Sequence, residues 1–179
     1  LGEGSSNSLS KDTDLALAIG TKLGDFTTGS WSNFQNEDFK LVSINTARFD
    51  VTKHLATPVI SDAKIGLLEL SKALGDWRAP NNWYERSIDE RKKWDSYVEK
   101  QSGPTNQELP SYAHAVGAVY RNADPSDIVV TAAGGLVGEV VQIWKPKELN
   151  TFETEWGFSC MGYEISGALG IKMAKPDQD

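Results

Sequence analysis

The chain has 179 residues, with 25 acidic against 18 basic side chains and a formal net charge of −7. At 39% hydrophobic and 24% charged it has the make-up of a globular protein with material for a core, and the acidic balance argues against a polyanion-binding surface. No apolar run approaches the roughly 20 residues that a membrane span needs, and a single cysteine, Cys160, allows no intrachain disulfide.

These features are those of a cytoplasmic protein that binds neither nucleic acid nor membrane. The densest basic run, Arg91-Lys92-Lys93, is flanked by Asp89, Glu90 and Asp95 and reads as a solvated helix face. His54 and His114 have no ligand-spaced partners, so no metal site is expected in this chain. The chain starts at Leu1 in a Gly/Ser-rich run and stops in a turn-like Lys-Pro-Asp-Gln-Asp. Such ends suggest a piece of a longer protein.

In chain order, residues 1–10 read as a polar, flexible lead-in. Residues 14–20, DLALAIG, form a nearly continuous apolar run ending in glycine, the pattern of a strand buried on both faces of a parallel sheet. Residues 40–45 repeat it, and 57–60 suggest a third, shorter strand. Between the first two, 21–39 reads as a loop with little regular structure, where Thr27, Thr28 and Asp50 further on are best read as turn and capping chemistry. Ser61-Asp62 opens an amphipathic helix carrying Ile65, Leu67, Leu68, Leu70 and Leu74, and Gly75 stops it. Strands and helices in this alternation imply an α/β fold.

Residues 76–110 read as a connector. Residues 76–82 are a loop, Ser87-Ile-Asp-Glu90 is a capping box opening a helix with Trp94, Tyr97 and Val98, and Gly103, Pro104 and Pro110 break that helix. A helix over 111–122 follows. Residues 127–132, DIVVTA, are the most convincing strand in the chain, and they run into Ala133-Gly134-Gly135-Leu136-Val137-Gly138 and an apolar helix. A strand, a glycine turn and a helix place backbone amides where a phosphate can sit. GGLVG lacks the Lys-Ser/Thr of a Walker loop, and alone it also describes an ordinary tight turn.

The segment EWGFSCMGYEISGALGIKM, residues 155–173, organises the rest. Met161, Ile165, Leu169 and Met173 recur every fourth residue, which predicts one buried helix face. Gly162, Gly167 and Gly170 lie along the same segment, and glycines there point to close approach of a backbone or a ligand. Residues 157–160 form a loop arriving at the helix N-terminus. Glu155 and Glu164 flank the motif; they suit acid–base work if buried, and helix-end charge or salt bridging otherwise.

GFSCMGYEISGALG resembles the cofactor-facing segment of thiamine diphosphate enzymes, in the version found in trihydroxycyclohexane-1,2-dione hydrolases of inositol catabolism. IGTKLGDFTTGSW with INTARFDVTKHLATPVISDAKIGLLEL resembles the middle domain of the same enzymes. The resemblance implies the later half of a doubly wound middle domain over residues 1–75, the connector over 76–110, and the opening of a parallel-sheet thiamine-diphosphate domain over 111–179. It implies that Met161 wedges the cofactor into its bent form and that the carbonyl of Ser159 or Cys160 accepts from the aminopyrimidine, with Gly162 beside them. Gly134, Gly135 and Leu136 would meet the diphosphate through backbone amides, and Glu164 would support the site. Acetohydroxyacid synthases usually have Gln and His where Gly135 and Leu136 stand, so the departure favours the hydrolase branch.

The family's activating glutamate and its GDG…Asn magnesium motif have no counterpart in these residues. The resemblance therefore implies a cofactor pair, thiamine diphosphate and Mg²⁺, completed elsewhere in a parent enzyme of at least two subunits acting on a small molecule. This chain by itself is expected to contain no catalytic residue and no metal ligand, and to be inert. The expected parent reaction is ring opening of trihydroxycyclohexane-1,2-dione to 5-deoxyglucuronate. An acetohydroxyacid-synthase-like enzyme and a non-catalytic α/β binding module are the alternatives.

Overall fold

The computed structural model describes residues 4–179. They fall into two compact units that meet in sequence between Trp94 and Asp95. The fold is α/β, as the strand and helix patterns predict, and every strand pairing is parallel.

The first unit opens with α1 (Gly4–Asp12). A helix therefore stands where the composition suggests a flexible lead-in; residues 1–3 of that lead-in lie outside the described residues. Tertiary contacts override the weak local propensity. The Arg86 guanidinium reaches Asp12 at 2.6 Å and the Ser8 carbonyl at 3.3 Å, which fixes the helix from outside.

β1 (Leu15–Ile19), β2 (Lys40–Asn45) and β3 (Thr57–Ile60) form a sheet in that order. The short helices α2 (Asp25–Thr28) and α3 (Arg48–Val51) lie in the connections, so the first connection has one helical turn where a plain loop is expected. β2 is the central strand, with Leu41, Ser43, Ile44 and Asn45 buried. β1 is not buried on both faces. Strand alternation places Ala16 and Ala18 on one face, packed with Leu41, Ala56, Leu23, Trp31 and Phe39, while Leu15, Leu17 and Ile19 stay exposed on the other. α4 (Ala63–Leu74) packs against β2 and leaves the outer face of β1 uncovered among the described residues. Its start is as the sequence indicates: the Asp62 carboxylate accepts from the Lys64 and Ile65 amides.

α5 (Asn81–Ser102) starts earlier than the connector reading has it. Pro80 supplies the helix entry, its carbonyl taking the Trp83 and Tyr84 amides. The Ser87–Glu90 capping box does not form. Ser87 lies inside the helix and donates to the Tyr84 carbonyl at 2.7 Å, and Glu90 pairs with Lys93 at 2.8 Å.

The second unit contains α6 (Tyr112–Asn122), β4 (Val129–Thr131), α7 (Gly135–Ile143), β5 (Phe152–Thr154) and α8 (Tyr163–Ala174). Ser111 caps α6 by accepting the His114 amide, and α6 packs on α7 over Ala113, Val116, Val137, Val140 and Ile143. β5 has no counterpart among the sequence expectations. It holds a single large apolar residue, Phe152, and exists because its backbone pairs with β4 in the register Val129–Phe152 to Thr131–Thr154.

The apolar stripe of α8 is not a buried face. Met161, Ile165, Leu169 and Met173 are 89, 79, 61 and 76% exposed. α8 packs against β4, and no described residue covers its stripe. The helix also begins after Gly162 rather than before it.

Candidate functional site

Two segments leave the same short stretch of backbone at the end of β4. The first is a turn. After Thr131 the chain passes Ala132 and Ala133 and reaches Gly134 at φ 92°, ψ 179°, a conformation essentially reserved to glycine. α7 begins at the next residue. No described side chain caps it and its first turn carries no acid, so its leading amides lack an acceptor among the described residues. Gly134, Gly135 and Leu136 are exposed.

The second segment is an arch between β5 and α8. Its first foot is the Glu155 amide, which donates to the Thr131 carbonyl at 3.1 Å. The Glu155 carboxylate then turns into the arch and accepts from Phe158 N at 2.9 Å and Cys160 N at 2.8 Å. Ser159, at the top, is held at φ 51°, and Gly162 closes the arch at φ 91°. The second foot is Glu164. Its Oε1 accepts from the amides of Ala132 at 3.1 Å and Ala133 at 3.0 Å, and its Oε2 accepts from Gly162 N at 3.2 Å. Both feet therefore stand on residues 131–133, the stretch from which the glycine turn departs.

The two glutamates act as acceptors for backbone amides. Neither enters an ion pair among the described residues, so the salt-bridge reading gives way to this one. The amides of Cys160 and then Phe158 hold the Glu155 carboxyl below its ordinary range. The Ala133 amide, followed by Glu164's own amide, does the same for Glu164. Both are carboxylates at neutral pH, and as charged acceptors of several N–H groups they are poor proton donors. The charge of Glu155 pushes the Cys160 thiol up, with desolvation adding to it, so this exposed cysteine is a protonated thiol at neutral pH.

The structure thus brings Gly134, Gly135 and Leu136 and the arch residues Ser159, Cys160, Met161 and Gly162 onto one support, with Glu164 joining them. Met161 and Phe158 project as 89 and 90% exposed side chains from the arch. The Cys160 carbonyl already accepts the Tyr163 amide at 3.2 Å as α8 starts. Sequence reasoning misses Thr131, Ala132 and Ala133. They contribute only backbone groups, and the strand pattern is their sole sequence signal. Among the described residues no three His, Cys, Asp or Glu side chains come together as a metal site. No described helix is long and apolar enough to cross a membrane.

Residues 1–70 match the family described as thiamine pyrophosphate enzyme, central domain, and residues 132–179 match thiamine pyrophosphate enzyme, C-terminal TPP binding domain. The chain belongs to the thiamine pyrophosphate enzymes. Within them it is similar to proteins named 3D-(3,5/4)-trihydroxycyclohexane-1,2-dione hydrolase. The relative from Geobacillus thermodenitrificans is 34% identical over 97% of this chain and 30% of its own length. Those from Clostridium tetani and Bacillus anthracis are 34% and 32% identical over 99% of this chain and 31% of theirs. The chain spans about 30% of the length of these curated relatives. The matched C-terminal TPP binding domain starts at Ala132, so both the glycine turn and the arch belong to it.

Proposed function

We propose that the chain supplies the diphosphate-facing turn and the pyrimidine-facing arch of a thiamine diphosphate site in a C–C bond hydrolase that opens a ring between adjacent carbonyl carbons. The observation that carries this reading is the shared support: an uncapped, glycine-led helix start and a strained arch, both rooted at residues 131–133. The residues fit the cofactor. At Gly134 the backbone conformation excludes side chains and the surrounding space is open, which suits a bulky anion. The amides of Gly135 and Leu136 would hold the diphosphate at the positive end of α7.

In the arch, the Ser159 carbonyl is the better acceptor for the aminopyrimidine, because the Cys160 carbonyl is engaged by Tyr163. The exposed Met161 side chain would press the cofactor into a bent shape, and Gly162 gives the arch its return into α8. Bound thiamine diphosphate supplies a nucleophilic carbon and an electron sink for breaking the C–C bond. Glu155 and Glu164 donate no proton in this scheme. Mg²⁺ would accompany the diphosphate, but the side chains described here form no site for it, and no step is assigned to it. Residues 1–75 act as middle-domain scaffold, 76–110 as connector and 111–179 as cofactor domain. The chain alone is inert, and the complete site is shared between subunits of an enzyme that is at least dimeric.

The test is to supply the full protein with thiamine diphosphate and Mg²⁺ and offer it trihydroxycyclohexane-1,2-dione or pyruvate. Formation of 5-deoxyglucuronate from the dione, the product that the family resemblance implies, supports the proposal. Acetolactate from pyruvate replaces it with a synthase. Absence of any heat on addition of thiamine diphosphate replaces it with a non-catalytic module.

A further inference from the structure

Glu164 touches both halves of the candidate site with a single carboxylate. Oε1 takes two strand-end amides, Ala132 and Ala133, and Oε2 takes Gly162 at the base of the arch. The group is half-buried and sits in the first turn of α8, where the helix dipole favours its charge. Without it, the arch keeps one foot on β4, the bond from the Glu155 amide to the Thr131 carbonyl.

Two consequences follow from the placement. First, the carboxylate acts as an internal anion at the strand end. It consumes the amides of Ala132 and Ala133, so an external anion is confined to the amides that begin α7. Second, a carboxylate is rigid and its two oxygens are a fixed distance apart, so it sets the register of the arch against the turn. Charge-assisted hydrogen bonds are strong enough to hold that register.

Resting on the thiamine diphosphate reading, we propose that Glu164 is a positioning residue: it fixes the distance between the diphosphate turn and the arch, so that a ligand must span both to bind well. It touches neither the reacting atoms nor the diphosphate. A ligand that meets only the turn gains nothing from Glu164, and a ligand that reaches from the turn to the arch depends on it.

The experiment compares two probes on the full protein by calorimetry, thiamine diphosphate and inorganic pyrophosphate, for the wild type, Glu164→Gln and Glu164→Asp. Glu164→Gln keeps one acceptor oxygen but turns an amide toward backbone donors, and is expected to weaken thiamine diphosphate by about tenfold or more. Pyrophosphate is expected to bind as well as before, or better once a neighbouring negative charge is gone. Glu164→Asp keeps the charge and retracts it by one methylene, which predicts the same split to a smaller extent. Hydrogen exchange in the ligand-free protein gives a second readout: the Ala132, Ala133 and Gly162 amides should accelerate together in both variants.

Equal weakening of both probes shows general damage to the unit and overturns the proposal, as does unchanged thiamine diphosphate affinity. If Glu164→Gln does not fold, the aspartate variant decides by the same split. A wild type that binds pyrophosphate but not thiamine diphosphate overturns the cofactor reading instead, and the variants then need not be consulted.

Discussion

Each unit of this protein ends a parallel strand in a left-handed glycine, and the two ends behave differently. After β1, Gly20 sits at φ 61° and the following loop is closed by its own surroundings. Asn45 Nδ2 donates to the Thr21 carbonyl, Lys53 Nζ to that of Lys22, and the His54 ring to that of Leu23, with Trp31 stacked on His54 at 3.7 Å. After β4, Gly134 leads straight into a helix that no described side chain caps. The first edge has its loop carbonyls taken by side-chain donors and its Leu23 amide by Thr21 Oγ1, whereas the second opens an exposed helix start whose amides no described side chain accepts. A strand followed by glycine is therefore not enough to make an anion site. What matters is whether a helix starts at once and whether anything in the chain already occupies its amides.

The largest effect tests whether that difference is local. A Cβ on Gly117 would lie 2.1 Å from the Ser102 carbonyl oxygen, so α6 must move to admit it. Gly117→Ala is expected to destabilise the second unit by about 3 kcal/mol, read as a lower denaturant midpoint. If the turn and arch depend only on their own bonds, thiamine diphosphate affinity in the folded protein stays within about twofold of wild type. A loss of affinity in step with stability would show that the edge is set by the whole unit.

Next in size is the direct exchange between the two glycines. Gly134→Ala introduces strain of about 1–3 kcal/mol, since φ 92° with ψ 179° excludes side chains although the space is open. Relief of that strain rotates the first amides of α7, and pyrophosphate affinity should fall by about tenfold or more. Gly20→Ala, at φ 61° with equally open space, should cost about 1–2 kcal/mol of stability and leave pyrophosphate binding unchanged. Equal effects of the two substitutions on binding would erase the distinction between the edges.

Much of this contrast can be read from the residues, though unevenly. β2, β3 and α4 stand where their apolar runs and the Ser61-Asp62 signal place them, because local pattern and tertiary packing agree there. The glycine turn at 134–136 is legible for the same reason. The arch is only half legible. Its motif marks Ser159 to Glu164, but the period of Met161, Ile165, Leu169 and Met173 predicts a buried face and the structure leaves it exposed. Periodicity reports that a helix has an apolar face, not that its partner lies within the chain. α1 and β5 escape the reading because each is made by contacts from distant residues, Arg86 for one and the β4 backbone for the other. The resemblance marks Glu164 as a supporting residue, but nothing in the sequence shows that its carboxylate accepts the amides of Ala132, Ala133 and Gly162.

Acid should separate the arch from the loops of the first unit. Glu155 and Glu164 are depressed in the folded protein by the amides they accept, above all those of Cys160 and Ala133. Their contribution is thus fully present above the ordinary glutamate range and is lost as pH falls through their depressed values. Exchange of the Phe158, Cys160, Ala132 and Ala133 amides, corrected for intrinsic rate, should rise across that acid window. The loop after β1 is held by Asn45, Lys53 and His54 on its carbonyls and by Thr21 Oγ1 on the Leu23 amide, with no described carboxylate accepting its amides, so that loop should stay protected. Simultaneous opening of both regions would contradict the assignment of the arch to its glutamates.

The smallest effect concerns Cys160. Exposure alone makes it an accessible thiol, but the Glu155 charge raises it and keeps it protonated at neutral pH. Glu155→Gln removes the charge while leaving one oxygen to accept an arch amide. Alkylation by iodoacetamide near neutral pH should then speed up about threefold, because the thiolate is the reacting form and its fraction rises as the thiol returns toward its ordinary value. Loosening of the arch would also speed alkylation, and the pH profile tells the two apart. A charge effect moves the midpoint of the rate curve to lower pH and leaves its plateau unchanged. A loosened arch raises the plateau without moving the midpoint, and that result would make Glu155 a brace for the backbone with no hold on the thiol.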